Sequence, residues 1–164
     1  MAIGIDVTHY VTAADLSPAF PGQLADLSPA DIRSFVAETA VTVGTVVCQG
    51  TSAGQCAVVA SGVADCAVGV VIRLNVLSPS DLDGSGKIPA GEDVSVLNKG
   101  RIWVLADDSP SVGDRGYTEY SGSPGYVSDQ ATTALDTRAQ VRFLSEKNSD
   151  DLALVEVDFQ NVQG

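Results

Sequence analysis

From Ala40 onward the chain is a succession of short, Val-rich apolar segments broken by Gly, Pro, Asn, Asp and Ser. Segments this short cannot carry the 3.6-residue stripe of a stable helix, but they match the usual length of strands. Candidate strands lie at 41–48, 56–60, 67–73, 94–98, 101–106, 115–120, 125–128, 139–144 and 152–159. Val and Ile favour them, because β-branched side chains fit a pleated, half-buried surface. In the last segment Val155, Val157 and Phe159 alternate with Leu154, Glu156 and Asp158, so one face is apolar and the other polar. Asn98-Lys99-Gly100 separates two candidates and suits a hairpin loop closed by a glycine. Many short strands of this kind predict an all-β barrel or sandwich.

A faint duplication sharpens that expectation. Val43-Gly44-Thr45-Val46-Val47 corresponds to Val112-Gly113-Asp114-Arg115-Gly116-Tyr117. The run from Val63 to Val70 corresponds to that from Ala134 to Val141, and Asp93-Val94-Ser95-Val96 to Asp151-Leu152-Ala153-Leu154. The pieces keep their order, which predicts two pseudo-repeated halves. Each is too small to bury its own face, so the two close together into one compact barrel or β-tulip.

Residues 1–40 read differently, as an N-terminal arm ahead of a barrel domain over 41–164. Ala-Asp-Leu-Ser-Pro-Ala occurs at 14–19 and again at 25–30. A Ser before a Pro is the pattern of a helix cap and first turn, and Ile32, Phe35 and Val36 follow the second copy. This predicts a short helix near 29–37. Ile3, Ile5, Val7, Tyr10 and Val11 are too apolar for a freely solvated tail and are candidate contacts with a partner surface.

Composition excludes several function classes. The formal net charge is −12, from 21 acidic and nine basic residues. The cations are scattered along the sequence, so neither nucleic acid nor an anionic membrane is expected as a partner. Aromatics make up only 5% of the chain against 45% apolar residues, so the core must be built mainly from Val, Leu, Ile and Ala. The N-terminus, MAIGIDVTHY, has no basic start and no apolar run, so no secretory signal is expected. Cys48, Cys56 and Cys66 are an odd set and read as reduced, small core residues.

Catalytic chemistry is hard to assemble. His9 is the only histidine, and it lies in the arm rather than on a scaffold. Gly84-Ser85-Gly86-Lys87 lacks the rest of a phosphate loop, with Asp81 and Ile88 where Gly and Ser or Thr belong. Asp81 to Glu92 fits the twelve-residue calcium loop at Asp81, Asp83, Ser85, Gly86 and Glu92. Ser78-Pro79-Ser80 before it and Val94-Ser95-Val96 after it make flanking helices implausible. No metal and no cofactor are therefore expected, and calcium is the one ion with a ligand pattern.

The run Pro89-Ala90-Gly91-Glu92-Asp93-Val94-Ser95-Val96-Leu97-Asn98-Lys99-Gly100-Arg101-Ile102-Trp103-Val104 resembles the structural cement, or head decoration, proteins of tailed phages. Phe35 to Val41, Gly44 to Val47, Val112-Gly113-Asp114 and Leu152 to Val157 resemble the same family in the same order. The resemblance implies a non-enzymatic structural protein, made in the host cytoplasm and carried on the outer face of the virion capsid. It implies binding to the major-capsid lattice, with self-association as a homotrimer or, second, a homodimer. Two other classes compete. A carbohydrate- or receptor-binding module would use Trp103, Tyr117, Tyr120 and Tyr126 to stack on sugars, and a small barrel enzyme of nucleotide hydrolysis would need its carboxylates to converge.

Calorimetric titration of calcium into the protein is expected to release no binding heat. A saturable signal lost on replacing Asp81 and Asp83 with Asn would establish the loop as a calcium site.

Overall fold

The computed structural model describes residues 19–25, 29–60, 67–73, 86–131, 134–135 and 140–159. They form twelve strands and no helix: β1 (Asp31–Ala37), β2 (Val41–Thr42), β3 (Val46–Gln49), β4 (Gln55–Val58), β5 (Ala67–Val71), β6 (Lys87–Ile88), β7 (Asp93–Leu105), β8 (Tyr117–Glu119), β9 (Val127–Ser128), β10 (Ala134–Leu135), β11 (Gln140–Phe143) and β12 (Leu152–Asp158). The main sheet runs β1-β4-β3-β5-β7-β12-β11, and β1 also pairs with β7. That extra pairing closes β1, β4, β3, β5 and β7 into a five-stranded barrel. The all-β barrel expected from the sequence is therefore the fold.

The two halves meet along three doubly buried strands. Val46 and Cys48 of β3, Val70 of β5 with the following Ile72, and Leu97 of β7 point into one core. Their neighbours Val47 and Val71, with Val94 and Val96 of β7, point into another. A strand buried on both faces reads as an unbroken apolar run, which is why Val46-Val47-Cys48 and Val70-Val71-Ile72 show no alternation. The first core is the larger. It gathers Ile102, Val104, Phe143, Val155, Val157 and Phe159 from β7, β11, β12 and the residue after β12.

The duplication reappears in the backbone. Thr45 N donates to Thr42 O at 3.3 Å, and Asp114 N to Ser111 O at 3.1 Å, so each half carries a four-residue turn with glycine third. Gly44 N donates to Val71 O at 2.9 Å, and Gly113 N to Phe143 O at 2.8 Å. Val71 N then returns a bond to Thr45 O, and Phe143 N to Asp114 O, both at 2.9 Å. Both glycines have positive φ, 81° and 96°. The order β3-β5-β7 in the first half is matched by residues 113–116, β11 and β12 in the second. Bridges from Arg115 to Arg142 and from Ala106 to Val127 carry the second half round toward its own circuit.

Two local expectations fail, each for a tertiary reason. The helix near 29–37 is strand β1. Ile32 to Val36 pair residue by residue with Leu97 to Asp93, and Phe35 packs against the second core. Helical preference is worth a few tenths of a kcal/mol per residue, too little to resist a complete ladder. Asn98-Lys99-Gly100 is not a hairpin loop either, because β7 runs straight through it. Asp31 pairs with Lys99 and Ile32 with Leu97, which leaves Asn98 as the extra residue of a bulge. The buried Asn98 side chain donates to Val68 O at 2.9 Å and pins that bulge to the end of β5. Part of the expected arm also belongs to the body: Gly22 N bonds Trp103 O at 2.8 Å and Ala25 N bonds Arg101 O at 3.0 Å.

The cysteines depart from a fully reduced set. Cys48 is disulfide-bonded. Cys56 is a buried free thiol, and Cys66 lies outside the described residues.

The paired turns give a contrast to measure. A Cβ on Gly44 would come within 2.8 Å of Pro21 Cβ and 2.9 Å of Gly22 N, whereas one on Gly113 would meet only Arg142 Nη2 at 3.7 Å. Gly113→Ala is expected to cost about 1–2 kcal/mol, the left-handed penalty alone. Gly44→Ala adds a steric penalty of about 1–3 kcal/mol to that. Denaturant unfolding of the two variants checks the order.

Candidate functional site

The alternation in β12 decides which side chains reach solvent. Val155 and Val157 turn inward, so Glu156 and Asp158 turn out. Register then sets their neighbours. Glu156 lies opposite Arg101 on β7 and Arg142 on β11, while Asp158 lies opposite Lys99 on β7 and Gln140 on β11. The loop before β12 holds this register. Asn148 Oδ1 accepts from Asp150 N and Leu152 N, both at 2.9 Å, and Ser145 Oγ accepts from Leu154 N at 2.8 Å.

Two parallel rows of charge result on one face of the sheet. Arg115, Arg142, Glu156 and Arg101 form the first, linked by the Arg115–Arg142 bridge and the strand pairings. Asp158, Lys99 and Asp31 form the second. Four of the chain's nine cations meet here, although they are far apart in sequence. The expectation of scattered basic residues is corrected in this one place. Lys99 Nζ lies 2.9 Å from Asp158 Oδ2, and Arg101 Nε lies 3.5 Å from Glu156 Oε1. The hydrogen bond and charge of Asp158 push the Lys99 ammonium above its ordinary pKa. Arg115 lies over the Tyr117 ring, 5.3 Å from its centroid. Arg142 is exposed and has no ion pair among the described residues. A groove of about 540 Å³ runs between Pro29, Lys99, Arg101, Arg142, Glu156 and Asp158.

These pairs are half-exposed, and such pairs contribute about 0–1 kcal/mol each to stability. A mixed-sign ladder of this kind can set register against a partner more than it sets affinity. Interleaved acids also make the face unsuited to a run of phosphates.

The other candidates fall elsewhere. Ile3, Ile5, Val7, His9, Tyr10, Val11, Asp81, Asp83 and Ser85 lie outside the described residues. Glu92 is exposed just before β7, and its carbonyl accepts from Ala37 N at 2.9 Å. Among the described residues no three His, Cys, Asp or Glu side chains gather as a metal site. Trp103, Tyr117, Tyr120 and Tyr126 are all partly buried, and Tyr120 packs on the main core.

The family model described as "Structural cement protein (E217 gp24/Pam3 gp6)" matches residues 8–158. The chain belongs to the structural cement protein family. The cement protein is also similar in fold to a chain of a solved structure described as "The capsid of Myoviridae Phage XM1". The TM-score is 0.67 at 19% identity, over 84% of the cement protein and 89% of that chain. No curated protein matches it. The expected family is thus the observed one, and the charged ladder is a feature of this chain that the sequence reading missed. Period-2 alternation in β12 signalled its two acids. The cations on β7 and β11 join them only once the strand order is known.

Cys56 is fully buried, and burial raises its thiol pKa above the ordinary value. The thiolate is therefore disfavoured in the folded state and favoured on unfolding. Stability linked to this group is present below the unfolded pKa and is lost as pH rises above it. Native cement protein is expected to leave Cys56 unlabelled by a thiol reagent at neutral pH, with labelling appearing on unfolding. Peptide mapping by mass spectrometry reads both states.

Proposed function

We propose that this cement protein is a non-enzymatic decoration protein that binds the outer face of a phage capsid and stabilises the major-capsid lattice. The family match across residues 8–158 carries the reading. The mainly aliphatic double core supports it, because it makes a packed body that presents its charged groups at the surface. A ligand that binds only the assembled lattice stabilises it by mass action, and many copies add avidity. The reading includes self-association on the lattice and needs no cofactor.

The charged ladder is the surface we assign to the capsid. Its alternating signs fit a folded protein with a complementary pattern, and they fix orientation on it. The arm residues Ile3, Ile5, Val7, Tyr10 and Val11 are assigned a supporting contact. Because Gly22, Gln23 and Ala25 bond to β7 and residues 31–37 form β1, removing residues 1–34 would damage the body. Removing residues 2–18 is the cleaner truncation.

Co-sedimentation with undecorated capsids tests this. The wild-type protein is expected to pellet with capsids and to be released as salt rises. An Arg101→Gln, Arg142→Gln double variant is expected to lose about tenfold or more in affinity, while its melting temperature stays near wild type because both residues are exposed and no like charge is set against Glu156. Deleting residues 2–18 is expected to lower occupancy. Full occupancy by the double variant would move the contact to another face, and no pelleting of the wild type would remove the reading itself.

A further inference from the structure

Strand β1 is paired along one edge for its whole length, but along the other only at its end. On the β7 side the ladder runs from Asp31 to Val36. On the β4 side it covers only Val36 and Ala37. Val36 N donates to Gly54 O at 2.9 Å and Glu38 N to Cys56 O at 2.8 Å, while Ala37 N donates the other way, to Glu92 O at 2.9 Å. Backbone polar groups alternate sides along a strand, so Ile32 and Ser34 direct their N–H and C=O toward β4's side. Among the described residues no strand pairs with them there. Ile32 is 46% exposed, and Arg33 and Ser34 are exposed beside it. An open edge of this kind is a template for one more strand.

The sequence of the edge is complementary to itself. With a second copy placed antiparallel and Ile32 opposite Ile32, Ala30 falls opposite Ser34 and Asp31 opposite Arg33, each twice by symmetry. The Ile32 pair and the two Ala30–Ser34 pairs take the hydrogen-bonded sites. The two Asp31–Arg33 pairs take the non-bonded sites, where side chains approach most closely. Arg33 Nη2 already lies 3.3 Å from Asp31 Oδ2 of its own chain, so the two-fold completes a set of four alternating charges. The neighbouring registers with the same bonding sense put Arg33 opposite Arg33 or Asp31 opposite Asp31, and both are repulsive. Pro29, which has no N–H, falls opposite Phe35, whose polar groups face β7. The missing donor therefore costs nothing, and the added ladder stops before the 50–54 turn.

We propose that the chain forms an isologous dimer in solution by antiparallel pairing of the two β1 edges across Ala30 to Ser34. This goes beyond the capsid reading and does not depend on it. An isologous edge closes at two copies, so it favours the homodimer over the homotrimer.

Sedimentation velocity of the full chain over a concentration series tests the proposal. The wild type is expected to dimerise. Ser34→Pro removes a donor that points outward and spares the β1–β7 ladder, as edge prolines do. It is expected to raise the dissociation constant by about tenfold or more while thermal melting shows a folded protein. Arg33→Asp is expected to do the same by repulsion, and the charge-swapped Asp31→Arg, Arg33→Asp double variant to recover the dimer. A monomeric wild type overturns the proposal. So does a dimer unmoved by both Ser34→Pro and Arg33→Asp, or a double variant no better than Arg33→Asp alone.

Discussion

Burial of both faces of the central strands is the constraint on which the rest of this structure depends. β7 illustrates it. Its first half presents Val94 and Val96 to one core and Leu97 to the other, and its second half presents Ile102 and Val104 to the larger core. The backbone is committed on both edges as well. Asp31 and Asp158 both pair with Lys99, one from β1 and one from β12. A strand held on two faces and two edges has no freedom of register. The positions of Lys99 and Arg101 on the outer surface are therefore consequences of apolar packing beneath them.

What was legible in the sequence follows the same logic. Val155, Val157 and Phe159 alternate because β12 has one wet face, and the strand was found where that alternation placed it. The Val-Gly-Thr and Val-Gly-Asp turns were legible because a positive φ demands glycine, and the same bonds close both. β1 was not legible. Its Ser-Pro start and its Ile32, Phe35 and Val36 imitate a helix, and only the ladder with β7 settles the matter. The bulge at Asn98 was misread for a related reason. A polar-polar-glycine triplet marks a break in regular pairing, and the triplet alone does not distinguish a reversal from a bulge.

The surface was harder to read than the core, on physical grounds. Hydrophobic periodicity records which side of a strand is dry and says nothing about which strands lie side by side. Arg115, Arg142, Glu156 and Arg101 come from four separate stretches and become a row only through the order β11-β12-β7 and one isolated bridge. Counting charges along the chain predicts a uniformly acidic body, whereas the fold collects four cations on one face.

The length of β7 has a mechanical consequence. Two packed bodies that meet at an interface separate by peeling, one contact after another. Here one of the three strands along which the halves meet, β7, is a continuous strand of 13 residues belonging to both. A load that drives one half along the strand against the other is carried by covalent bonds and by ladders strained in shear, where many hydrogen bonds must yield together. Along β7 the halves are joined without a break, so a strain applied at one end of that strand reaches the other through covalent bonds.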